Sequence, residues 1–212
     1  MNVNLWSTSE HALEYLEKRV DTVPHRTEGE GVILEIVPSS VQRVLDLGTG
    51  NGRLLALVKQ AHPHIEGVGV DFSPAMLDEA RKHFAGDPHV KIVEHNMDAS
   101  LPDLGSFDAV ISCFAIHHLV HPRKRELYSE IFTVLTPGGV FCNFEHVASP
   151  TFRLHEDFLQ RLNVTPETED PSNKLLDLET QLAWLREIGF TDVDCYWKWR
   201  ELALLSGRKP EA

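Results

Sequence analysis

The sequence predicts an α/β fold: a seven-stranded, mostly parallel sheet, doubly wound by helices, with an antiparallel last strand. Three observations predict it. From Val41 onward, short apolar runs alternate with stretches of helical periodicity, the pattern of parallel strands joined through helices. One such run, VLDLGTGNG at 44–52, passes an acid and then places glycine at Gly48, Gly50 and Gly52, which reads as a buried strand entering a tight turn. At the other end, TDVDCYWKW followed by RELALLSGR reads as a hairpin, which supplies the antiparallel pair and brings five strands to seven.

Before Val41 the chain carries two helical patterns. Leu13, Leu16 and Val20 share one face of 9–20, and Val32, Ile33, Ile36 and Val37 recur through 29–37. Pro24 interrupts helix between them and leaves His25 and Arg26 on a loop. The first strand is Arg43–Leu47, and Leu54, Leu55, Leu57 and Val58 make 53–61 a helix whose free N–H groups face the glycine turn. A second strand at 67–70 delivers Asp71, nineteen residues past Gly52. Ser73 and Pro74 then offer an N-cap and a first-turn proline to a helix burying Met76, Leu77, Ala80 and Phe84. The third strand, 90–93, runs into Asn96, Met97 and Asp98, and the fourth, 107–112, passes into CFAIHHLVHP. A helix at 123–135 returns to a Thr136-Pro137-Gly138-Gly139 turn and a fifth strand at 140–144. The rhythm breaks at 148–174, which reads as a short amphipathic helix and then an exposed acidic, proline-containing stretch. A helix at 176–188, stopped by Gly189, precedes the hairpin, in which Trp197 and Trp199 alternate with Tyr196 and Lys198 and are expected to face the core.

Glycine spacing decides which cofactor the turn serves. The dinucleotide fingerprint G-x-G-x-x-G, begun at Gly48, requires glycine where Arg53 stands. The pattern present, D-x-G-x-G-x-G from Asp46, resembles motif I of the class I S-adenosylmethionine (SAM) dependent methyltransferases. Later elements, including LTPGG before the fifth strand, extend the resemblance over roughly 41–209. It implies SAM as cofactor and S-adenosylhomocysteine as product. An acid beside exposed backbone N–H groups suits the zwitterionic methionine end of SAM. The cofactor contacts expected are Arg26, Asp46, Gly48, Gly50, Gly52, Asp71, Phe72, Met76, Asn96, Met97 and Asp98, with Asp71 on the ribose hydroxyls and Asp98 on the adenine amine. The resemblance also implies a single domain over 41–212, a helical cover at 1–40 that brings Trp6, Tyr15 and His25 toward the pocket, a substrate lid at about 148–174, and a structural role for Asp108.

The activity so implied is methyl transfer to a small-molecule nucleophile, through oxygen, sulfur or nitrogen, by in-line displacement. Two alternatives stay open: a non-catalytic SAM-binding partner module, and a SAM-using transferase of the same fold that moves a group other than methyl. His117, His118 and His146 are the candidate base or acceptor-orienting residues, since an ordinary imidazole titrates near neutrality. Being adjacent, His117 and His118 are expected to diverge, so that only one reaches the acceptor.

Composition narrows the partners. A formal charge of −12 argues against nucleic acid and anionic lipid. The three cysteines lack a C-x-x-C pair, no apolar run approaches a membrane span, and the N-terminal residues lack a signal-peptide pattern. A cytoplasmic monomer or homodimer is expected. His117, His118 and His121 form H-H-x-x-H, but without the acid of a zinc-protease helix and with Pro122 immediately following, so no metal is expected. No N-P-P-Y follows the fourth strand, which argues against the amino groups of nucleobases or glutamine as acceptors.

Overall fold

The computed structural model describes residues 23–211. The helix expected at 9–20, with Trp6 and Tyr15, lies outside the described residues. The elements follow in the order α1 (Arg26–Ile36), β1 (Arg43–Leu47), α2 (Arg53–Ala61), β2 (Glu66–Asp71), α3 (Pro74–His83), β3 (Val90–Glu94), β4 (Phe107–Cys113), a 3₁₀ turn (Ile116–His118), α4 (His121–Val134), β5 (Leu135–His146), α5 (Phe152–Arg161), α6 (Leu178–Ile188), β6 (Thr191–Trp199) and β7 (Leu202–Arg208).

All seven strands form one sheet in the order β3-β2-β1-β4-β5-β7-β6. The pairs from β3 to β5 are parallel, and β7 runs antiparallel between β5 and β6. Alternate residues of one strand serve opposite faces, as the pleat requires. Leu45 and Leu47 join the core under α4 and α6, while Val44 joins the core under α1 and α2. The same alternation holds in β5, where Phe141 packs on one side and Val140, Cys142 and Phe144 on the other. Both faces are therefore covered, which is why these strands read as nearly continuous apolar runs.

The register sets the functional edge. Leu47 lies beside Val70 and Ser112, so β1, β2 and β4 end at nearly the same height and release their following loops side by side. The strand order reverses between β1 and β4, and the crevice at such a switch point is where open α/β sheets bind ligands.

Several local expectations are corrected. Arg26 opens α1 instead of lying on a loop, and α1 begins three residues before the predicted 29–37 helix. Its Gly29 lets the helix sit on β5: a Cβ there would come within 2.5 Å of the Phe144 ring. Ser73 occupies the N-cap position of α3 but makes no side-chain cap bond, and its buried Oγ has no partner among the described residues. LTPGG is part of β5, not a turn preceding it. The pairing of β4 with β5 slips between Phe107 and Ala109, and Gly138 takes a positive φ of 78°, so the predicted turn is a bulge at the strand's start. Trp197 and Trp199 pack partly buried against the α1-side core, as expected, and Tyr196 is exposed.

Candidate cofactor and acceptor sites

The glycine turn is held from below by β2. The N–H groups of Gly48 and Thr49 both donate to Val70 O, at 2.8 and 2.9 Å. Asp71 then ties two loops together, accepting from Gly50 N at 2.8 Å on one carboxylate oxygen and from Ser73 N at 2.9 Å on the other. Asp46, 1% exposed, accepts from the Thr49 hydroxyl at 2.7 Å. Burial raises both carboxyls, Asp46 to about 7 with a further push from Asp71, while Asp71 is partly restored by the amides donating to it.

Gly48 has φ +69°, and a Cβ on it would meet the Ala115 Cβ at 2.1 Å, so this position closes the turn against the loop after β4. Gly52 plays a different part. It is the residue before α2, a Cβ there would strike the Phe84 ring at 2.6 Å, and it stands apart from the cavity lining.

A cavity opens above this turn. It gathers Arg26, Asp46, Gly48, Gly50, Asp71, Phe72, Met76, Asn96, Met97 and Asp98, ten of the eleven cofactor residues expected from the sequence, together with Thr49, His95, Cys113, Phe114, Ala115, His118 and Leu119. Met97 is buried and its carbonyl is fixed by Arg123 Nε at 2.8 Å, whereas Asn96 and Asp98 are exposed. Asp98 N–H donates to Asn96 Oδ1 at 2.9 Å, so this loop is also an Asx turn. His95 was missed from the sequence. Its Nε2 is buried at the cavity wall and meets no hydrogen-bond partner among the described residues, a signal that exists only in three dimensions.

Arg53, the residue that breaks the dinucleotide pattern, has its own task. Its Nε and Nη2 donate to the two oxygens of Glu30 at 3.0 Å each, and Glu30 also accepts from Arg26 Nε at 2.8 Å. Glu30, 2% exposed, thus joins α1 to the start of α2 and keeps Arg26 at the cavity. His25 does not line it: its ring packs on Trp199, with centroids 4.8 Å apart.

A second cavity, of about 320 Å³, adjoins the first and shares Phe114 and His118 with it. Phe158, Leu159, Leu162, Val164 and Leu202 give it an apolar side, and His117, His118, His146, Glu169, Asp170 and Asn173 a polar one. The expected divergence of His117 and His118 does not occur. Their 3₁₀ turn brings the ring centroids within 4.0 Å at a tilt of 44°, and both residues line this cavity. His117 Nδ1 lies 2.6 Å from Glu145 Oε1, and His146 Nε2 lies 2.8 Å from Glu201 Oε2. Ser172 directs its one hydroxyl hydrogen to Asp170 at 2.7 Å, so it accepts from His118 Nδ1 at 2.9 Å. Nε2 is therefore the lone-pair nitrogen of a neutral His118. Burial, reinforced by neighbouring imidazoles, holds His117 and His118 well below the usual histidine range.

The segment read as exposed acidic chain is in part a wall of this cavity. Glu169, Asp170 and Asn173 line it, and Lys174 N–H donates to His117 O at 2.8 Å. Sequence reasoning missed these residues because no periodicity marks them. Asp108 is structural, as expected: its carboxylate accepts from Gln42 N, Arg43 N and Thr136 Oγ1 at 2.9, 3.0 and 3.1 Å.

Residues 44–139 match the family of methyltransferase domains. Over 175 residues the chain is 33% identical to a demethylmenaquinone methyltransferase of Clavibacter sepedonicus, covering 75% of this chain and 69% of that one. It is 26% identical over 211 residues to a carboxy-S-adenosyl-L-methionine synthase of Helicobacter hepaticus, covering 89% and 87%. Human N-acetylserotonin methyltransferase, solved in complex with SAM, superposes with a TM-score of 0.70 at 18% identity, over 97% of this chain but 58% of its own. The chain thus spans a little over half the length of that structure.

The chain belongs to the class I SAM-dependent methyltransferases, and SAM is the cofactor of its family. Among the described residues no helix is long and apolar enough to cross a membrane.

Proposed function

We propose that this chain transfers a methyl group from SAM to a small-molecule nucleophile seated in the second cavity. The observation carrying this reading is the shared wall: Phe114 and His118 belong to both cavities, so an acceptor in one would face the cofactor in the other. The first cavity suits SAM chemically. The buried Asp46 and half-buried Asp71 carboxyls, the start of α2 and a glycine that admits no Cβ offer a cradle for a charged amino-acid end, and Met97, Phe72 and Leu119 offer apolar surface. In this reading Asp46 and the Gly48 to Gly50 turn hold the methionyl end, Asp71 the ribose, and Met97 with Asp98 the adenine.

Bound SAM supplies an electrophilic methyl group. The protein's own contribution is chiefly to hold the acceptor in line, an effect worth as much as ~7 to 11 kcal/mol. His118, on the wall common to both cavities, is the residue to orient a protic acceptor, and His146, backed by the Glu201 carboxylate, is the better partner for a proton the acceptor must lose. The relatives' names support a small-molecule acceptor.

A second reading, a SAM-using transferase moving a carboxylated group, is favoured by the broad coverage of the carboxy-S-adenosyl-L-methionine synthase. Against it, no Lys or Arg is among the described residues lining the second cavity to meet an anionic donor. Calorimetry with SAM and S-adenosylhomocysteine tests the cofactor assignment: both should bind, and Asp71→Ala should weaken binding severely. No binding by the intact protein overturns it. Mass spectrometry of a metabolite pool then separates the readings. A gain of one CH₂ unit supports methyl transfer, a carboxylated adduct supports the second reading, and an unchanged pool with SAM still bound supports a non-catalytic module.

A further inference from the structure

One ionisable side chain beside the second cavity, His155, has no part in the chemistry above. His155, on α5, has both ring nitrogens facing carboxylates. Nδ1 lies 3.1 Å from each oxygen of Glu201, and Nε2 lies 3.1 Å from Glu169 Oε2. Glu201 sits between β6 and β7, is 1% exposed, and also takes His146 Nε2 at 2.8 Å. Glu169 uses its remaining oxygen to accept from Asn173 Nδ2 at 3.1 Å. The result is a chain, His146–Glu201–His155–Glu169–Asn173, of which His146, Glu169 and Asn173 line the cavity.

An ionised carboxylate only accepts hydrogen bonds, so each ring nitrogen that faces one must carry a hydrogen. Two such nitrogens make an imidazolium. A neutral ring would direct a lone pair at one of the two acids and lose that contact. Among the described residues, Glu201 and Glu169 are the charged groups facing His155, and His146 lies beyond Glu201. Burial opposes the charge on His155, but the two carboxylates outweigh it and its pKa is raised.

We infer that His155 is the latch of the acceptor cavity, a positioning residue whose imidazolium ties the 163–177 segment to the core through Glu169 and Glu201 and so sets both the cavity wall and the orientation of His146. This rests on the reading of the second cavity as the acceptor site. The His155 ring itself is not among the residues lining that cavity, so it acts through its neighbours. Because its pKa is raised in the folded protein, the latch is complete below the pKa of a free histidine and is released as pH rises through the folded value.

The test needs no acceptor. Nitrogen NMR of ¹⁵N-histidine-labelled protein gives the His155 pKa. Hydrogen exchange, corrected for intrinsic rates, reports on the Lys174 amide that bonds to His117 O. We expect the His155 pKa to lie above that of a free histidine, with both ring nitrogens protonated below it. Lys174 exchange should rise through the His155 titration by about tenfold for each unit that the measured pKa exceeds that of a free histidine. Glu169→Gln, at a part-exposed position, should lower the His155 pKa with the fold intact by circular dichroism. His155→Phe should leave Lys174 exchange fast and free of that titration, with SAM affinity unchanged. An imidazole titrating at or below the free value, or a Lys174 amide indifferent to both variants, overturns the latch. Loss of SAM binding in the wild-type protein would instead overturn the proposed function and leave the latch measurement standing.

Discussion

Asp46→Asn separates the stability of this protein from its capacity to bind cofactor. In the folded chain the Asp46 carboxyl titrates at about 7, against 3.8 for a free one, because it is buried beside Asp71. A folded pKa above the unfolded one means the folded state holds a proton that the unfolded state has released. Stability therefore falls as pH rises between those two values and stays low above them. A shift of about three units corresponds to about 4 kcal/mol of strain at pH 8. Asparagine removes the charge, but about 2 kcal/mol is returned because the bond from Thr49 weakens and the new amide hydrogens need an acceptor. The net gain at pH 8 is about 2 kcal/mol, or a rise in melting temperature of roughly 4 to 8 °C. At pH 5 the wild-type carboxyl is largely protonated in the fold, so the gain should shrink to about zero. Thermal melts at both pH values test the stability half, and calorimetry should show weaker SAM binding by the stabilised variant. Equal effects of the substitution at pH 5 and pH 8 would refute a burial-driven shift at Asp46.

Gly48→Ala places a methyl group where φ is +69° and the Ala115 Cβ would lie 2.1 Å away. Left-handed strain of about 1 to 2 kcal/mol and a similar overpacking cost should lower the urea midpoint, and calorimetry should find SAM binding abolished. Asp108→Ala removes the acceptor of three hydrogen bonds at the opposite end of the sheet from the site, and should cost about 1 to 3 kcal/mol by denaturation while leaving SAM affinity unchanged.

The proposed cofactor site is legible in the sequence because it is local. Asp46, Gly48 and Gly50 fall in one run of five residues, and Asp71 and Met97 each follow a strand that periodicity reveals. The proposed acceptor site is not local. His146 owes its orientation to Glu201, 55 residues on, and His118 is fixed by Ser172 across 54. Glu169 and Asn173 lie in a stretch whose composition reads as solvated loop, and only the packing of that loop onto the 3₁₀ turn makes them a wall. Adjacency misled for His117 and His118, since the expected divergence holds for a regular helix or strand and not for one tight turn.

The placement of β7 between β5 and β6 has a consequence for the nascent chain. Every strand and loop contributing to the first cavity, from α1 to Leu119, is translated before α5, α6 and the final hairpin. Glu201, which anchors both His146 and His155, emerges only between the last two strands. On the proposed assignments, a chain still on the ribosome holds the parts for grasping cofactor well before it holds those for orienting an acceptor. Bound cofactor favours the structure that binds it by mass action. Any cofactor-binding structure that the emerging strands adopt would be favoured in this way before the parts that orient an acceptor exist.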